Sequence, residues 1–323
     1  MTEEWRRMRD QGDSVAVVSM DLSKAFDVIQ HSLLLAKLKA YGLDQASCAL
    51  IKDYLSSRNQ RVKIGDTFSE WLHARRGVPQ GSILGPMFFN IFINDIFLFC
   101  GDVKLNAYTD NHQINSSVSD PVVLDGRMRN AVETANQWYQ QNGMLANESK
   151  HQALILGKSE HTFSFPTKDL IDILGMNIDN NLNFHNYISL ICKKVNQFNV
   201  MLRFRNLISK DILVKLYKAY ILPHFDYCST VWHFCSANNR DKIEALNKRI
   251  LRFILSDFES PYNVLLDRVN CLQLHDQRIC KFLTTLYKSL FFTSYPAYMR
   301  NMFSFRSTSY NMRGNYHTGN AQT

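Results

Sequence analysis

Val103-Lys-Leu-Asn-Ala-Tyr-Thr-Asp-Asn-His-Gln-Ile114 is the stretch that decides how the rest of the chain is read. An apolar run reaches Tyr108, then Thr109, Asp110, Asn111 and His112 follow, and polarity alternates again through Ile114. The pattern predicts strand, tight turn, strand, because Asp and Asn side chains bond nearby backbone and tolerate unusual dihedrals. Asp110 at the tip of such a hairpin is rigidly held and open to solvent, as a metal ligand must be. An ordinary polar turn fits the same twelve residues, so the decision rests on what lies outside them.

Upstream, Val15-Ala-Val-Val-Ser-Met20 is an apolar, β-branched run of strand length that delivers Asp21 at its end. Apolar residues recur at helical spacing over 31–57, with a break near Gly42. Two short strands are expected at about 60–65 and 69–76, turning at Gly65-Asp66. Gly77-Val-Pro-Gln-Gly81 reads as an irregular loop, and Ser82–Phe99 as a buried helix that Ser82 helps to cap. Downstream, 121–142 is an amphipathic helix with Val132, Ala135 and Trp138 on one side, and 150–157 and 170–178 are strand candidates. From about 186 the pattern is helical: 186–206, 209–235 with Pro223 bending or breaking it, 238–256 and 275–291. The expectation is an α+β domain over 1–183, an antiparallel sheet with helices, and an all-helical domain over 184–323.

The chain has 323 residues, enough for two domains or one large one, and at 46% hydrophobic it can bury a sizeable core. Net charge is +8, unevenly spread. Residues 185–323 hold 19 Lys and Arg against 8 Asp and Glu, whereas 1–184 hold 18 against 21. A basic carboxyl-terminal part suits a polyanionic partner, although a solvated charged surface produces the same count. Seven cysteines without close pairing, and an amino terminus with no apolar core, predict an intracellular protein of nucleus or cytoplasm, with no signal peptide. Met87–Cys100 is too short and too interrupted by Asn90, Asn94 and Asp95 to span a bilayer, so no membrane segment is expected.

Three constellations carry chemistry. If the strands ending at Asp21 and Asp110 are neighbours, their carboxylates converge at one sheet edge. Two such charges about 4 Å apart repel by about 4 kcal/mol at an effective dielectric of 20, a penalty that a divalent cation removes. Oxygen-only ligands select Mg²⁺ or Mn²⁺ over zinc, and two such ions suit in-line phosphoryl transfer to a 3′-hydroxyl. In Asp21-Leu-Ser-Lys-Ala-Phe-Asp27, a flat ring at Phe26 below a nucleotide sugar would clash with a 2′-hydroxyl; a core Phe is the plainer reading. In Gly77-Val-Pro-Gln-Gly-Ser-Ile-Leu-Gly-Pro86, Gly81 lets a nucleotide or backbone approach closely and Gln80 offers both donor and acceptor.

Together these stretches resemble the palm of a non-LTR (LINE-like) retrotransposon reverse transcriptase. Asp21–Asp27 resembles its motif A, Gly77–Pro86 motif B and Ala107–Ile114 motif C. Leu145–Lys150 is similar to motif D, Ile173–Asp179 to motif E, and Tyr217–Trp232 with Asn247–Arg252 to the thumb region. The resemblance implies an RNA-directed DNA polymerase of right-hand architecture. Asp21 and Asp110 would be the metal ligands of a two-metal Mg²⁺ (or Mn²⁺) site. Phe26 would be the steric gate, Gln80, Gly81 and Tyr108 part of the nucleotide pocket, and Lys150 a proton donor. The partners implied are an RNA template, a DNA primer and a dNTP, with the basic helical part tracking the primer–template backbone.

Two departures from the family pattern shape the expectation. The family hairpin reads aromatic-Ala-Asp-Asp, whereas this one reads Tyr108-Thr109-Asp110-Asn111, so the catalytic set has two carboxylates and an amide. Each loss of about 1.4 kcal/mol in transition-state stabilisation costs about tenfold in rate, and several such steps are expected here. Few residues precede the first palm strand, so the fingers are expected to be largely missing and the product truncated and impaired. The alternative is a catalytically inactive, nucleic-acid-binding relic that keeps the polymerase fold. His224, Cys228, His233 and Cys235 match no zinc-finger spacing and read as packing residues in an apolar helical stretch, as do Trp5, Trp71, Trp138 and Trp232.

Overall fold

A computed structural model describes residues 1–56, 58–147, 150–157, 160–198, 207–301 and 303. The first of two compact units comprises Met1–Gln197 with Phe234–Asn239. Its centre is the strand β1 (Ser14–Asp21), buried along both faces except at its last residue. That is why it reads as a continuous apolar run rather than an alternating one. The expected hairpin forms from β6 (Lys104–Tyr108) and β7 (Asn111–Val118), and β7 pairs antiparallel with β1. β8 (Gln152–Leu156) pairs antiparallel with the other edge of β1, giving the order β6-β7-β1-β8.

Period two along β1 sorts its side chains. Ala16, Val18 and Met20 join the main core with Ile114, the partner of Val18. Over that face lies the long helix α5 (Pro121–Gln141), which contributes Leu124, Met128, Ala135 and Trp138. Asp120 starts α5 by accepting from the Val122 N–H at 2.8 Å, with Pro121 in the first turn. Helices α2 (His31–Ala40), α3 (Gln45–Leu55) and α4 (Leu84–Ile93) fill the same core through Leu34, Leu38, Leu55 and Phe88, Phe89 and Phe92. On the opposite face, α1 (Thr2–Asp10) sets Trp5 so that its indole N–H donates to Asn115 Oδ1 at 3.3 Å.

Several expected elements are redrawn. The strands at 60–65 and 69–76 are four two-residue strands in two ladders: β2 (Asn59–Gln60) with β5 (Leu72–His73), and β3 (Lys63–Ile64) with β4 (Thr67–Phe68). All are fully exposed, so no buried face sustains a longer pairing. The helix expected to reach Phe99 ends at Ile93 and continues as a 3₁₀ turn, Asn94–Leu98. The stretch 170–178 is a hairpin, β9 (Leu170–Ile173) with β10 (Met176–Asp179), and α6 (His185–Gln197) packs on β10. The first unit thus runs through α6, beyond the division expected at 183/184.

The second unit comprises Phe198–His233 and the chain from Arg240 onward. Its described elements are helical: α7 (Lys210–Leu216), α8 (Leu222–Asp226), α9 (Ser229–Trp232), most of α10 (Ala237–Leu255), α11 (Tyr262–Val269), α12 (Leu274–Phe291) and α13 (Ala297–Arg300). Pro223 does not merely bend a helix. The turn before it widens to π form over Tyr217–Ile221, the helix holding it is capped at Tyr227, and Cys228, at φ 50°, precedes the next one. Asn247 ties the bundle together, accepting from Tyr217 at 2.9 Å and donating to Tyr262 Oη at 2.8 Å. Residues 199–206, expected to be helical, lie outside the described residues.

Candidate active site

The register of β1 against β7 brings the two aspartates together. Asp21 is the last residue of β1 and stands opposite Asn111, the first of β7, so Asp110 sits at the turn beside it. The ladder continues one step further, with the Leu22 N–H donating to the Asp110 carbonyl at 3.0 Å. On its other side Asp21 is fixed by the Asn147 N–H, which donates to the Asp21 carbonyl at 2.7 Å. The segment Leu145–Asn147 therefore runs alongside and delivers Lys150, whose Nζ lies 2.8 Å from Asp21 Oδ2. Glu148 and Ser149 of the expected motif D fall outside the described residues. The hydrogen bond and charge of Asp21, with a smaller pull from Asp110, raise the Lys150 pKa above its ordinary value.

The turn is tighter than its composition suggests. Tyr108 pairs with Asn111, leaving Thr109 and Asp110 as a two-residue loop. Thr109, not Asp or Asn, takes the left-handed conformation, at φ 52°. A β-branched residue there is strained. Its hydroxyl compensates locally, standing 2.8 Å from Asp110 Oδ1, where it donates, and 2.7 Å from the Tyr108 carbonyl. Asn111 Nδ2 reaches the same Asp110 oxygen at 3.4 Å. An amide therefore donates to Asp110 at the position where a carboxylate would add negative charge.

His112 was expected in the turn and lies fully buried in β7. It faces the α5 side with Ile114, and its Nδ1 is 2.7 Å from Tyr139 Oη while Nε2 is 3.2 Å from the Thr109 carbonyl. Burial pushes its pKa down to about 4, so the ring is neutral under the turn at physiological pH. Sequence reasoning missed this support for the turn that carries Asp110. The parity that puts Ile114 in the core also puts His112 there, and that signal was available.

Motif A and the Gly77 loop are laced to each other. Val78 N–H donates to the Phe26 carbonyl at 2.9 Å, and Gly77 N–H to the Ile29 carbonyl at 2.8 Å. A Cβ on Gly77 would lie 2.8 Å from the Asp27 carbonyl oxygen, and its φ is +85°, so glycine is required. Gln80 Nε2 donates to Asp27 Oδ1 at 2.9 Å, a partner that the sequence did not single out. Phe26 is half-buried, its ring stacked on Phe89 at 4.7 Å between centroids. Gly81 has open space around it, and Tyr108 is 62% exposed at the end of β6. Ser82 does cap the following helix, accepting from the Gly85 N–H at 3.0 Å.

The donors at the tip suit a hard cation. Asp21 pairs with the Lys150 ammonium, which also feels the charge of Asp110, and the side chains at the tip itself, Thr109, Asp110 and Asn111, offer oxygen and amide groups. Among the described residues no group of three or more His, Cys, Asp or Glu is placed to hold a metal, so Asp21 and Asp110 stand as a pair. His224 and His233 instead lie against rings, His224 5.5 Å from Phe198 and His233 5.4 Å from His275. No helix among the described residues is long and apolar enough to cross a membrane.

Comparison with known proteins follows the same residues. The family described as "Reverse transcriptase (RNA-dependent DNA polymerase)" matches residues 1–178. The RNA-directed DNA polymerase from mobile element jockey of Drosophila funebris is 25% identical over 73% of this chain and 28% of its own length. The probable RNA-directed DNA polymerase from transposon X-element of Drosophila melanogaster is 23% identical over 73% of this chain and 28% of its own. The Pol polyprotein from type-1 retrotransposable element R2 of Popillia japonica is 27% identical over 46% of this chain and 26% of its own. The chain thus spans about a quarter of the length of these relatives. Among solved structures, a telomerase from Candida tropicalis in complex with a TWJ fragment of telomeric RNA aligns over 93% of this chain and 51% of that one, at 12% identity and a TM-score of 0.44.

Proposed function

Because this chain belongs to the reverse transcriptase (RNA-dependent DNA polymerase) family, and its relatives are polymerases of non-LTR retrotransposons, we propose that it carries the palm and thumb of an RNA-directed DNA polymerase whose turnover is impaired. The first unit, through α6, would form the palm and the helical second unit the thumb. The observation that carries the reading is the β1–β7 register, which sets Asp21 beside Asp110 at one sheet edge with Lys150 against them.

Asp21 and Asp110 would hold Mg²⁺ or Mn²⁺, which when bound supplies an activated 3′-hydroxyl and charge neutralisation at the leaving pyrophosphate. Phe26, its ring stacked on Phe89 and its backbone held by the Val78 N–H, would exclude a 2′-hydroxyl and so select a dNTP. Gln80, held by Asp27, and Gly81 shape the nucleotide pocket with Tyr108. Lys150, released from Asp21 when a cation binds there, would give a proton to the departing pyrophosphate oxygen. Asn111 weakens the site because its amide hydrogen-bonds Asp110 and contributes no charge to cation binding.

Primer extension on poly(rA)/oligo(dT) with purified 1–323 and Mg²⁺ or Mn²⁺, beside a binding titration of an RNA–DNA duplex, tests this reading. The expected result is weak or undetectable extension with duplex binding that falls steeply with salt. Robust extension would overturn the impairment, and failure to bind the duplex would overturn the polymerase reading.

A further inference from the structure

Between α3 and the Gly77 loop the chain projects an arm, residues 58–76, built from the β2–β5 and β3–β4 ladders. It buries nothing, and every residue from 58 to 73 is exposed. Yet its side chains are not those of a solvated hairpin. Trp71 is 59% exposed, Leu72 67% and Phe68 46%. The expectation that Trp71 packs like the other tryptophans is therefore wrong; Trp5, Trp138 and Trp232 are buried at 0, 3 and 0% exposure.

The arm is also basic, with five Lys and Arg against two Asp and Glu over 58–76. Among the described residues none of those five cations is in an ion pair. Two of them are instead laid on the rings. The Arg61 guanidinium lies 3.8 Å from the Phe68 ring centroid and 4.5 Å from that of Trp71, and Lys63 Nζ lies 5.3 Å from Phe68. Guanidinium and aromatic planes interleaved on an exposed surface are a stacking platform, and unpaired cations beside them attract phosphates. A protein partner would be expected to meet the apolar residues with fewer uncompensated charges around them. Duplex nucleic acid hides its base faces, whereas a single strand offers them. The root of the arm fixes its place: Arg76 bridges Gln30, and Gly77 and Val78 bond Ile29 and Phe26 directly after it. The arm thus begins where the nucleotide pocket ends.

We propose that the arm 58–76 binds single-stranded RNA, the unpaired template beside the active site, by stacking bases on the Phe68–Arg61–Trp71 face. The inference rests on the polymerase reading above and adds a site to it. Because the other tryptophans are buried, Trp71 dominates any quenching of tryptophan fluorescence by a stacked base.

The test titrates the full chain, Phe68→Ala/Trp71→Ala and Trp71→Phe with short single-stranded oligo(rU) and, separately, with a blunt RNA–DNA duplex. Expected are quenching of the wild type by oligo(rU), a loss of single-strand affinity of about tenfold or more in the double alanine variant, and duplex binding unchanged within about twofold. Trp71→Phe keeps most of the single-strand affinity and loses the quenching. Unchanged melting temperatures, expected because the arm buries nothing, show that the variants are folded. Single-strand affinity that survives the double substitution overturns the arm proposal while leaving the polymerase reading standing. Equal losses for single strand and duplex overturn it too. A wild-type chain that binds neither ligand overturns the polymerase reading itself.

Discussion

If the carboxylate pair holds a cation, as proposed, Asn111 and Lys150 would set how well it does so. Asn111 gives Asp110 a weak N–H contact at 3.4 Å, and Lys150 gives Asp21 an ammonium at 2.8 Å. Lys150 therefore competes with any divalent ion for Asp21. The pair is exposed on the lysine side, where such contacts are worth little, so the competition is modest. Lys150→Met is expected to tighten Mn²⁺ binding a few-fold, read by electron paramagnetic resonance, while lowering nucleotide transfer; weaker Mn²⁺ binding would contradict the competition. In the proposed reading Phe26 would act on sugar rather than metal. In an Asn111→Asp background, Phe26→Ala is expected to cut discrimination against rNTPs by at least about tenfold, or about 1.4 kcal/mol, measured as the ratio of kcat/KM values. Unchanged discrimination would reduce Phe26 to a core ring on Phe89. Residue types alone predicted Asp110 at the tip but not the left-handed Thr109, because the pattern favoured Asp and Asn for that geometry.

The elements around the site are rigid where two of them share backbone. Gly77 packs its Cα against the Asp27 backbone and takes φ +85°, joining the motif B loop to motif A. Gly77→Ala is expected to cost roughly 1–3 kcal/mol from dihedral strain alone, lowering Tm by roughly 2–10 °C and loosening nucleotide binding. A variant with unchanged Tm would mean that the junction has slack. Elements with a buried face were legible in the sequence: β1 from its apolar run, the β6–β7 hairpin from its alternation, and α5 from its amphipathic spacing with Ala135 and Trp138 inward. The arm at 59–73 was legible as two strands turning at Gly65-Asp66, but the extent of its pairing was not, because exposed ladders leave no periodicity to set their ends. The π turn before Pro223 was not either, since sequence shows where a proline interrupts a helix and not how the previous turn absorbs it.

At the scale of the molecule, the chain combines an α+β unit that carries the aspartate pair with a helical unit rich in Lys and Arg. The helical unit has an acid-sensitive point of its own. His233 stacks on His275 at 5.4 Å and on Phe282 at 6.3 Å. Burial lowers its pKa below 6.5, assisted by the charge of Arg278 and by His275. A histidine with a lowered folded pKa contributes stability that is complete above the unfolded value, near 6.5, and is lost as pH falls through the folded one. Hydrogen exchange across Leu274–Phe291, corrected for intrinsic rates, is therefore expected to be faster at about pH 5.5 than at about pH 7.5, with a smaller difference in His233→Phe. Equal pH sensitivity in the variant would assign the effect elsewhere. The polymerase account itself stands on Asp21 and Asp110 acting as a pair that Asn111 leaves one carboxylate short. The most direct measurement is the primer-extension rate of Asn111→Asp on poly(rA)/oligo(dT) with Mg²⁺, beside the wild type and Asp21→Asn/Asn111→Asp. The account predicts a gain of at least about tenfold from the single substitution and its complete loss in the double variant. A single variant no faster than the wild type, or extension that survives without Asp21, would contradict it.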